Sequence, residues 1–339
     1  MLDTLKTLCY LSGASGSEDE VRDYILERVM PYADAITTDS MGNLIINKKG
    51  KKSSGRKILI CAHMDEVGII ITGIDDDGYL HFDFLGSVDR RVVIGKQVYI
   101  GKDRVRGIIG IKAYHHVSKD EEKSVPKRDE LYIDIGAKSK DAAKELVSLG
   151  DAAVFDDSVL EFGEGYLKAK AIDDRVGCAA MIKLLESELP CDCTFAFTVQ
   201  EEVGTRGAKI VSARVNPDIA IVLEGTTAAD LPEIPEGKRI CALGKGLVIP
   251  FMDKGTIYNR GLYKMVTELA DANGIKWQTK TTIAGGTDAS AVQRSGNGVD
   301  TIAISAPMRN IHSPSCIAKI SDFETMPRLV KLLLEALSE

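Results

Sequence analysis

The chain has 339 residues, room for two domains or for one large domain with an insertion at roughly 100 to 200 residues per domain. With 44% hydrophobic and 27% charged residues it carries enough apolar side chains for a buried core, which excludes disorder as its main state, and no run approaches the roughly 20 apolar residues of a membrane-spanning helix. Its 43 basic and 50 acidic residues, net −7, lack the clustered basic excess of a nucleic-acid surface.

The first residues, MLDTLKTLCYLSGASGSEDE, contain no basic region followed by an apolar run, and the seven cysteines (9, 61, 178, 191, 193, 241 and 316) are odd in number and scattered. Both features point to a cytoplasmic protein in a reducing compartment. Ser17 and Glu20 make a capping-box pattern, followed by Val21, Tyr24, Ile25 and Val29 at helical spacing until Pro31 stops the helix. KILIC at 57–61 is a continuous apolar run of the buried parallel-strand type, ending in Ala62, His63, Met64 and Asp65. From about 69 to 165 short alternating or β-branched runs are separated by Gly and Asp turns, and only 140–149 is helix-like. From about 166 helix and strand alternate, with segments at 175–189, 194–199, 218–223, 258–272, 300–305 and 322–337. The pattern predicts an α/β fold with a mixed sheet, in which a domain made of 1–68 and 166–339 is interrupted by a smaller β-rich, barrel-like insert at 69–165.

In open α/β sheets ligands gather beyond the carboxyl ends of the strands, so residues just after apolar runs are the ones to inspect. KILIC leads into His63 and Asp65; TFAFTV leads through Gln200 into Glu201 and Glu202; IAIVL leads into Glu224; TIAISAPMRNI leads into His312. Asp173 and Asp174 stand in AIDDRVG directly before a helix. Each has an ordinary explanation alone, as a hydrogen-bonded strand-end histidine, a helix cap or a solvated acidic turn. Together, two histidines and several carboxylates form a hard nitrogen and oxygen donor set suited to zinc, cobalt or manganese, and a shared carboxylate permits a two-ion site.

The motifs AHMDEVG (62–68), AIDDRVG (171–177), QEEVGTRGA (200–208), GGTDAS (285–290) and IHSP (311–314) resemble, in order and spacing, those of the cocatalytic di-metal aminopeptidases that assemble as tetrahedral dodecamers. That family includes bacterial glutamyl aminopeptidases and proteins labelled endoglucanase M. The resemblance covers nearly the whole chain and implies a metal-dependent aminopeptidase acting on peptides, with two divalent ions, zinc or cobalt before manganese, and a homo-oligomer built from dimers. It implies that Asp173 bridges the ions, one also held by His63 and Glu224 and the other by Glu202 and His312. Glu201 would be the general base, Asp65 would hydrogen-bond the His63 imidazole, and Asp174 would fix a bend that often carries a cis peptide. Two departures stand out: the family commonly has Asp where Glu224 stands, and an aromatic where Asn310 stands.

Other candidates compete with these. Asp230 is a possible substitute for Glu224, although DLP reads as a turn. His115 and His116 read as a surface-loop pair whose side chains point to opposite faces, His81 as a strand residue, and Cys191 and Cys193 as a weak metal or disulfide pair. Gly285, Gly286 and Asp288 read either as shapers of a substrate pocket or as a helix start. Competing functions are a carboxypeptidase or deacylase with the same core, or a non-catalytic peptide-binding assembly protein. The former needs an Arg or Lys for the substrate's carboxylate, which the sequence does not locate. Glycoside hydrolysis fares worse, since it usually needs two carboxylates flanking the bond and gives paired histidines no role.

Overall fold

The computed structural model describes residues 1–156 and 158–339. In chain order its strands begin with β1 (Ala35–Thr38), β2 (Leu44–Lys48) and β3 (Ile58–His63). Then come β4 (Gly68–Ile74), β5 (Leu80–Leu85), β6 (Gln97–Ile100), β7 (Val105–Ile111), β8 (Leu131–Asp134) and β9 (Ala152–Phe155). The rest are β10 (Leu160–Phe162), β11 (Tyr166–Ala169), β12 (Cys193–Thr198), β13 (Ile219–Thr227), β14 (Leu247–Val248), β15 (Trp277–Gln278), β16 (Asp300–Arg309) and β17 (Cys316–Lys319).

Among the described residues eleven strands form one mixed sheet in the order β1-β2-β12-β3-β13-β16-β17-β11-β10, with β14 and β15 attached beside β16. The central strands β12, β3, β13 and β16 run parallel, and their neighbours β2 and β17 are antiparallel. A strand covered on both faces needs apolar side chains at every position rather than alternate ones. All six residues of β3 are buried accordingly. One face is covered by the helix Ile172–Leu185, buried on almost every side. The helix Met326–Leu337 places Leu329, Val330, Leu333, Leu334 and Leu337 at helical spacing against the same core.

The six strands β4 to β9 close into a separate barrel in the order β4-β5-β8-β7-β6-β9. Its interior is filled by alternate residues such as Ile69, Ile71, Leu80, Phe82, Val98, Ile100, Ile109 and Ile133. The mixed sheet and the closed barrel are the fold class that the residue pattern predicts. The expected insert of 69–165 takes in Leu160–Phe162, which instead pairs with β11 in the large sheet; the last barrel strand ends at Phe155.

Two local expectations change. The helix Asp19–Val29 starts from Glu18 with no side-chain cap, and Glu20 Oε2 accepts the Ser12 N–H instead of closing a capping box. His115 and His116 lie in an exposed helical turn with ring centroids 4.2 Å apart, so they do not point to opposite faces. Among the described residues no helix is long and apolar enough to cross a membrane.

Candidate metal centre

The carboxyl ends of β12, β3, β13 and β16 lie together at one end of the sheet. His63 closes β3 opposite Thr198, and Glu201 and Glu202 follow in the turn after β12. Pairing of β3 with β13 ends at Cys61 and Val222, so the two strands part there and Glu224 stands just inside the gap. Asp173 enters this space from the start of the helix Ile172–Leu185, where Asp173 and Asp174 are non-helical and joined by a cis peptide. Its approach needs a glycine: a Cβ on Gly225 would sit 2.6 Å from Asp173 Oδ1. His312 follows β16 with φ +57.

His63 Nε2 lies 3.5 Å from Asp173 Oδ1 and 3.3 Å from Glu224 Oε1. His312 Nε2 lies 3.6 Å from Asp173 Oδ2 and 3.2 Å from Glu202 Oε2. Each oxygen of Asp173 thus faces a different histidine. The Nδ1 atoms point away, that of His63 to the Asp65 carbonyl and that of His312 to the Ser87 carbonyl, each at 3.0 Å. A carbonyl only accepts, so each Nδ1 carries a proton, and a neutral ring then aims the Nε2 lone pair at carboxylate lone pairs. Such an array asks for cations.

The donor set passes that test. Asp173 Oδ1 and Glu224 Oε2 are buried without a hydrogen-bond partner, and ligand atoms of His63, Asp173 and Glu202 lie within 4.8 Å of one another. His63, Asp174 and Glu224 meet the same distance criterion. Asp174, however, is occupied: Oδ2 accepts the His63 N–H at 3.2 Å and Oδ1 the Gly177 N–H at 3.0 Å. The free lone pairs belong to Asp173 and Glu224.

Burial pushes the Glu224 carboxyl up to about 8 and that of Glu202 up to about 7. It also drives Glu201 well above the usual carboxylate range, with Glu224, Asp288 and Glu202 adding to the rise and His63 opposing it. Burial opposes the charge of Asp173 too, but the imidazoles of His312 and His63 close to its two oxygens outweigh it and hold this carboxyl well below the usual range. His312 is raised to about 9 because Asp173 and Glu202 overcome its own burial.

Asp65 is fully buried and does more than face the imidazole, from which its Oδ1 lies 3.4 Å. Oδ1 accepts the Glu201 N–H at 2.9 Å; Oδ2 accepts the Glu202 N–H at 3.1 Å and the Ser15 hydroxyl at 2.6 Å. Asp230 does not join the centre, since it makes a two-pronged ion pair with Arg309 and accepts the Leu243 N–H. Asp288 accepts from Thr198 Oγ1 at 2.6 Å. His81 is an exposed strand residue of β5, and Cys191 and Cys193 are unpaired like the other buried cysteines.

Sequence reasoning passed over Glu66, Lys170 and Arg175, all buried behind the centre. Glu66 Oε1 accepts from Lys170 Nζ at 2.6 Å and from Arg175 Nη2 at 3.2 Å. Arg175 also donates to the Met64 carbonyl at 2.8 Å and the Leu8 carbonyl at 2.5 Å, joining the first helix to the His63 turn. The available signal was charge inside otherwise apolar motifs, AHMDEVG and AIDDRVG.

A mixed α/β sheet with a histidine and carboxylate centre at its strand ends, interrupted by a closed barrel, defines a metal-dependent hydrolase of the aminopeptidase type. The chain belongs to the M42 glutamyl aminopeptidase family, whose profile matches residues 42–329. It is 30% identical over 344 residues to the lysyl aminopeptidase of Pyrococcus furiosus, covering 99% of this chain and 97% of that protein. Its fold superposes with TM-score 0.93 on an aminopeptidase of the archaeon Desulfurococcus kamchatkensis, at 35% identity over 98% of this chain and 94% of the other. The TET1 peptidase of Pyrococcus horikoshii, described as assembling into a tetrahedron or a large octahedral shell, is 36% identical with TM-score 0.85 and 98% coverage of both chains. The chain is accordingly an aminopeptidase.

Proposed function

We propose that the chain removes the N-terminal residue from peptides at a centre of two divalent cations, with Glu201 as general base. His63 and Glu224 would hold one cation, Glu202 and His312 the other, and Asp173 would lie across both. The observation that carries this reading is the division of Asp173, whose Oδ1 and Oδ2 face His63 and His312 separately. The hard donor set suits zinc, cobalt or manganese. Bound there, the ions supply polarisation of the scissile carbonyl and a lowered pKa for a water.

The remaining work falls to the protein. Glu201 accepts a proton from the attacking water on its carboxylate and delivers it to the leaving nitrogen, a role suited to its raised pKa. Asp65 holds the Glu201 and Glu202 backbone, so base and ligand keep a fixed offset. The surrounding carboxylates attract a free α-ammonium, which favours amino-terminal over internal cleavage.

The same reading places the chain in a homo-oligomer, a tetrahedral dodecamer built from dimers, with the barrel insert contributing subunit contacts. The assembly described for the P. horikoshii relative and exposed Ile108 and Tyr114 on and beside the barrel support this. Seven buried, unpaired cysteines support a reducing, cytoplasmic setting.

The test is to strip divalent ions from the full chain, add back zinc, cobalt or manganese, and follow hydrolysis of aminoacyl p-nitroanilides and of N-acetylated peptides. Activity should return with two ions per chain, on free amino termini alone. Full activity in the stripped protein overturns the reading, as does equal cleavage of blocked peptides, which marks a carboxypeptidase or deacylase.

A further inference from the structure

The turn that carries the proposed base starts from Gln200, whose φ of +55 is a conformation that a residue with a Cβ keeps only when its surroundings hold it there. Three successive N–H groups of this turn point to buried carboxylates. Those of Glu201 and Glu202 go to Asp65 Oδ1 and Oδ2, and that of Gln200 goes to Glu18 Oε1 at 3.1 Å. Glu18 is 5% exposed and lies 182 positions earlier in the chain.

Glu18 precedes the helix Asp19–Val29 at its N-cap, where an acidic side chain ordinarily accepts from the first turn of the helix. Here it makes no such bond. Its Oε1 takes the Gly16 N–H at 2.7 Å together with the Gln200 N–H. The segment behind it is fastened to the His63 motif: the Ser15 hydroxyl donates to Asp65 Oδ2, the Ser15 N–H to the Glu66 carbonyl and the Glu66 N–H to the Gly13 carbonyl. Residues 13–18 thus brace the glutamate turn from the side opposite Arg206, whose N–H and guanidinium bond the Gln200 carbonyl and side chain.

A peptide unit is planar, so the freedom at Gln200 is rotation between the unit before it and the unit after it. Glu18 holds the first through the Gln200 N–H, and Asp65 holds the second through the Glu201 N–H. Asp65 holds the next unit as well, through the Glu202 N–H. The two carboxylates together set φ and ψ at Gln200 and Glu201, and with them the direction in which the Glu201 side chain leaves the backbone.

Resting on the reading of Glu201 as general base, we infer that Glu18 is a positioning residue for the reaction: by accepting the Gln200 N–H it keeps the left-handed turn that aims the Glu201 carboxylate at the attacking water. Without it the first peptide unit is released while Asp65 still holds the backbone of Glu202, so the aim of the base suffers before the grip on the ion.

The experiment measures kcat, KM and bound metal of the metal-loaded full chain on the aminoacyl p-nitroanilide it cleaves best, for the natural sequence, Glu18→Ala, Glu18→Asp, Glu18→Gln, Glu201→Gln and the double variant Glu18→Ala with Glu201→Gln. Glu18→Ala removes the acceptor, and Glu18→Asp keeps the charge but draws the oxygen back by one methylene. Each should lower kcat by roughly 10- to 100-fold, the worth of a hydrogen bond to a charged group, with KM and metal content unchanged. Glu18→Gln should stay close to the natural enzyme, because both bonds fall on one oxygen and an amide oxygen accepts both. The double variant should be as slow as Glu201→Gln alone, since a residue that acts through the base has nothing left to position. If Glu18→Ala does not fold, Glu18→Asp and Glu18→Gln carry the comparison. A natural kcat in Glu18→Asp overturns the inference, as do a Glu18→Gln enzyme as slow as Glu18→Asp, a loss that lies in KM or in metal content, and losses that multiply in the double variant. These outcomes leave the base reading intact when Glu201→Gln is itself inactive; near-natural turnover in Glu201→Gln removes the base, and this inference with it.

Discussion

The backbone N–H of Glu201 donates to Asp65 Oδ1 at 2.9 Å, while the carbonyl of the same Asp65 lies 3.0 Å from His63 Nδ1. One buried aspartate therefore sets the position of the proposed base and the tautomer of a proposed ligand together. The motif around His63 and the motif around Glu201 are 136 positions apart in sequence, yet they behave as one piece of the site.

This relationship separates the adjacent pair Glu201 and Glu202. Glu201→Gln keeps the size and the backbone contact but cannot accept a proton, so turnover should drop by about 10² to 10⁴-fold with metal content unchanged. Glu202→Gln should weaken the ion on the His312 side. Metal stoichiometry measured beside turnover distinguishes the two; metal loss in the first and retention in the second would exchange their roles.

Asp65→Asn replaces an acceptor by an amide at a carboxylate that takes three donors, from Glu201, Glu202 and Ser15. Whichever oxygen becomes NH₂ meets an N–H or hydroxyl it cannot accept, so kcat should fall well before the bulk of the metal is lost. Ser15→Ala removes one hydrogen bond alone and should cost about 1 kcal/mol in thermal or denaturant unfolding. A kcat unaffected by Asp65→Asn would contradict the bracing role.

Glu224→Ala should lower occupancy of the ion shared with His63 and leave the ion of Glu202 and His312 better retained, whereas Asp173→Ala should lose both. Equal occupancy of the two positions in Glu224→Ala would remove Glu224 from the ligand set. Competition with a chelating dye resolves the two sites.

In the metal-free protein Glu202, Glu224 and His312 are raised to about 7, 8 and 9. A group raised in the folded state binds more protons there than in the unfolded chain, so stability falls as pH rises between the ordinary and the raised value. For these three the windows run from about 4.5 to 7, from about 4.5 to 8 and from about 6.5 to 9. The melting temperature of the stripped protein should therefore decline between about pH 5 and 9. Cation binding displaces these protons, so affinity should increase over the same interval and the stabilisation by added zinc or cobalt should be larger at pH 8.5 than at pH 6. A stripped protein most stable at pH 9 would refute this assignment of charge.

Among the described residues Glu66 alone among carboxylates bonds both Lys170 and Arg175, and all three are buried. Glu66→Ala leaves two buried cations unpaired, a change worth about 3 to 5 kcal/mol of unfolding free energy. Urea denaturation measures it, and a loss below about 1 kcal/mol would show that the network is compensated elsewhere.

How much of this was written in the chain follows from which interactions are local. Apolar runs ending in histidine and acidic residues determined the α/β class, the parallel strands and the positions of His63, Glu201, Glu202 and His312 at or just beyond strand ends, because a strand buried on both faces must be continuously apolar and its polar residues collect where it emerges; Glu224 instead lies within β13, which runs on to Thr227. The change to alternating runs from about residue 69 marked the barrel, because the period of two is a property of each strand. Closure of that barrel, and the return to the large sheet at Leu160, depended on pairing between distant strands.

Only the tertiary structure shows what each carboxylate touches. Asp173 and Asp174 are adjacent and chemically alike, but β3 and β13 part at Cys61 and Val222, and Gly225 lacks a side chain, so Asp173 reaches the gap while Asp174 turns to the His63 and Gly177 amides. Asp230, a possible substitute for Glu224 in sequence, is drawn off by Arg309, 79 positions away. A chain specifies where charge is placed along it; the register of its sheet and the space left by a missing Cβ specify which charges meet.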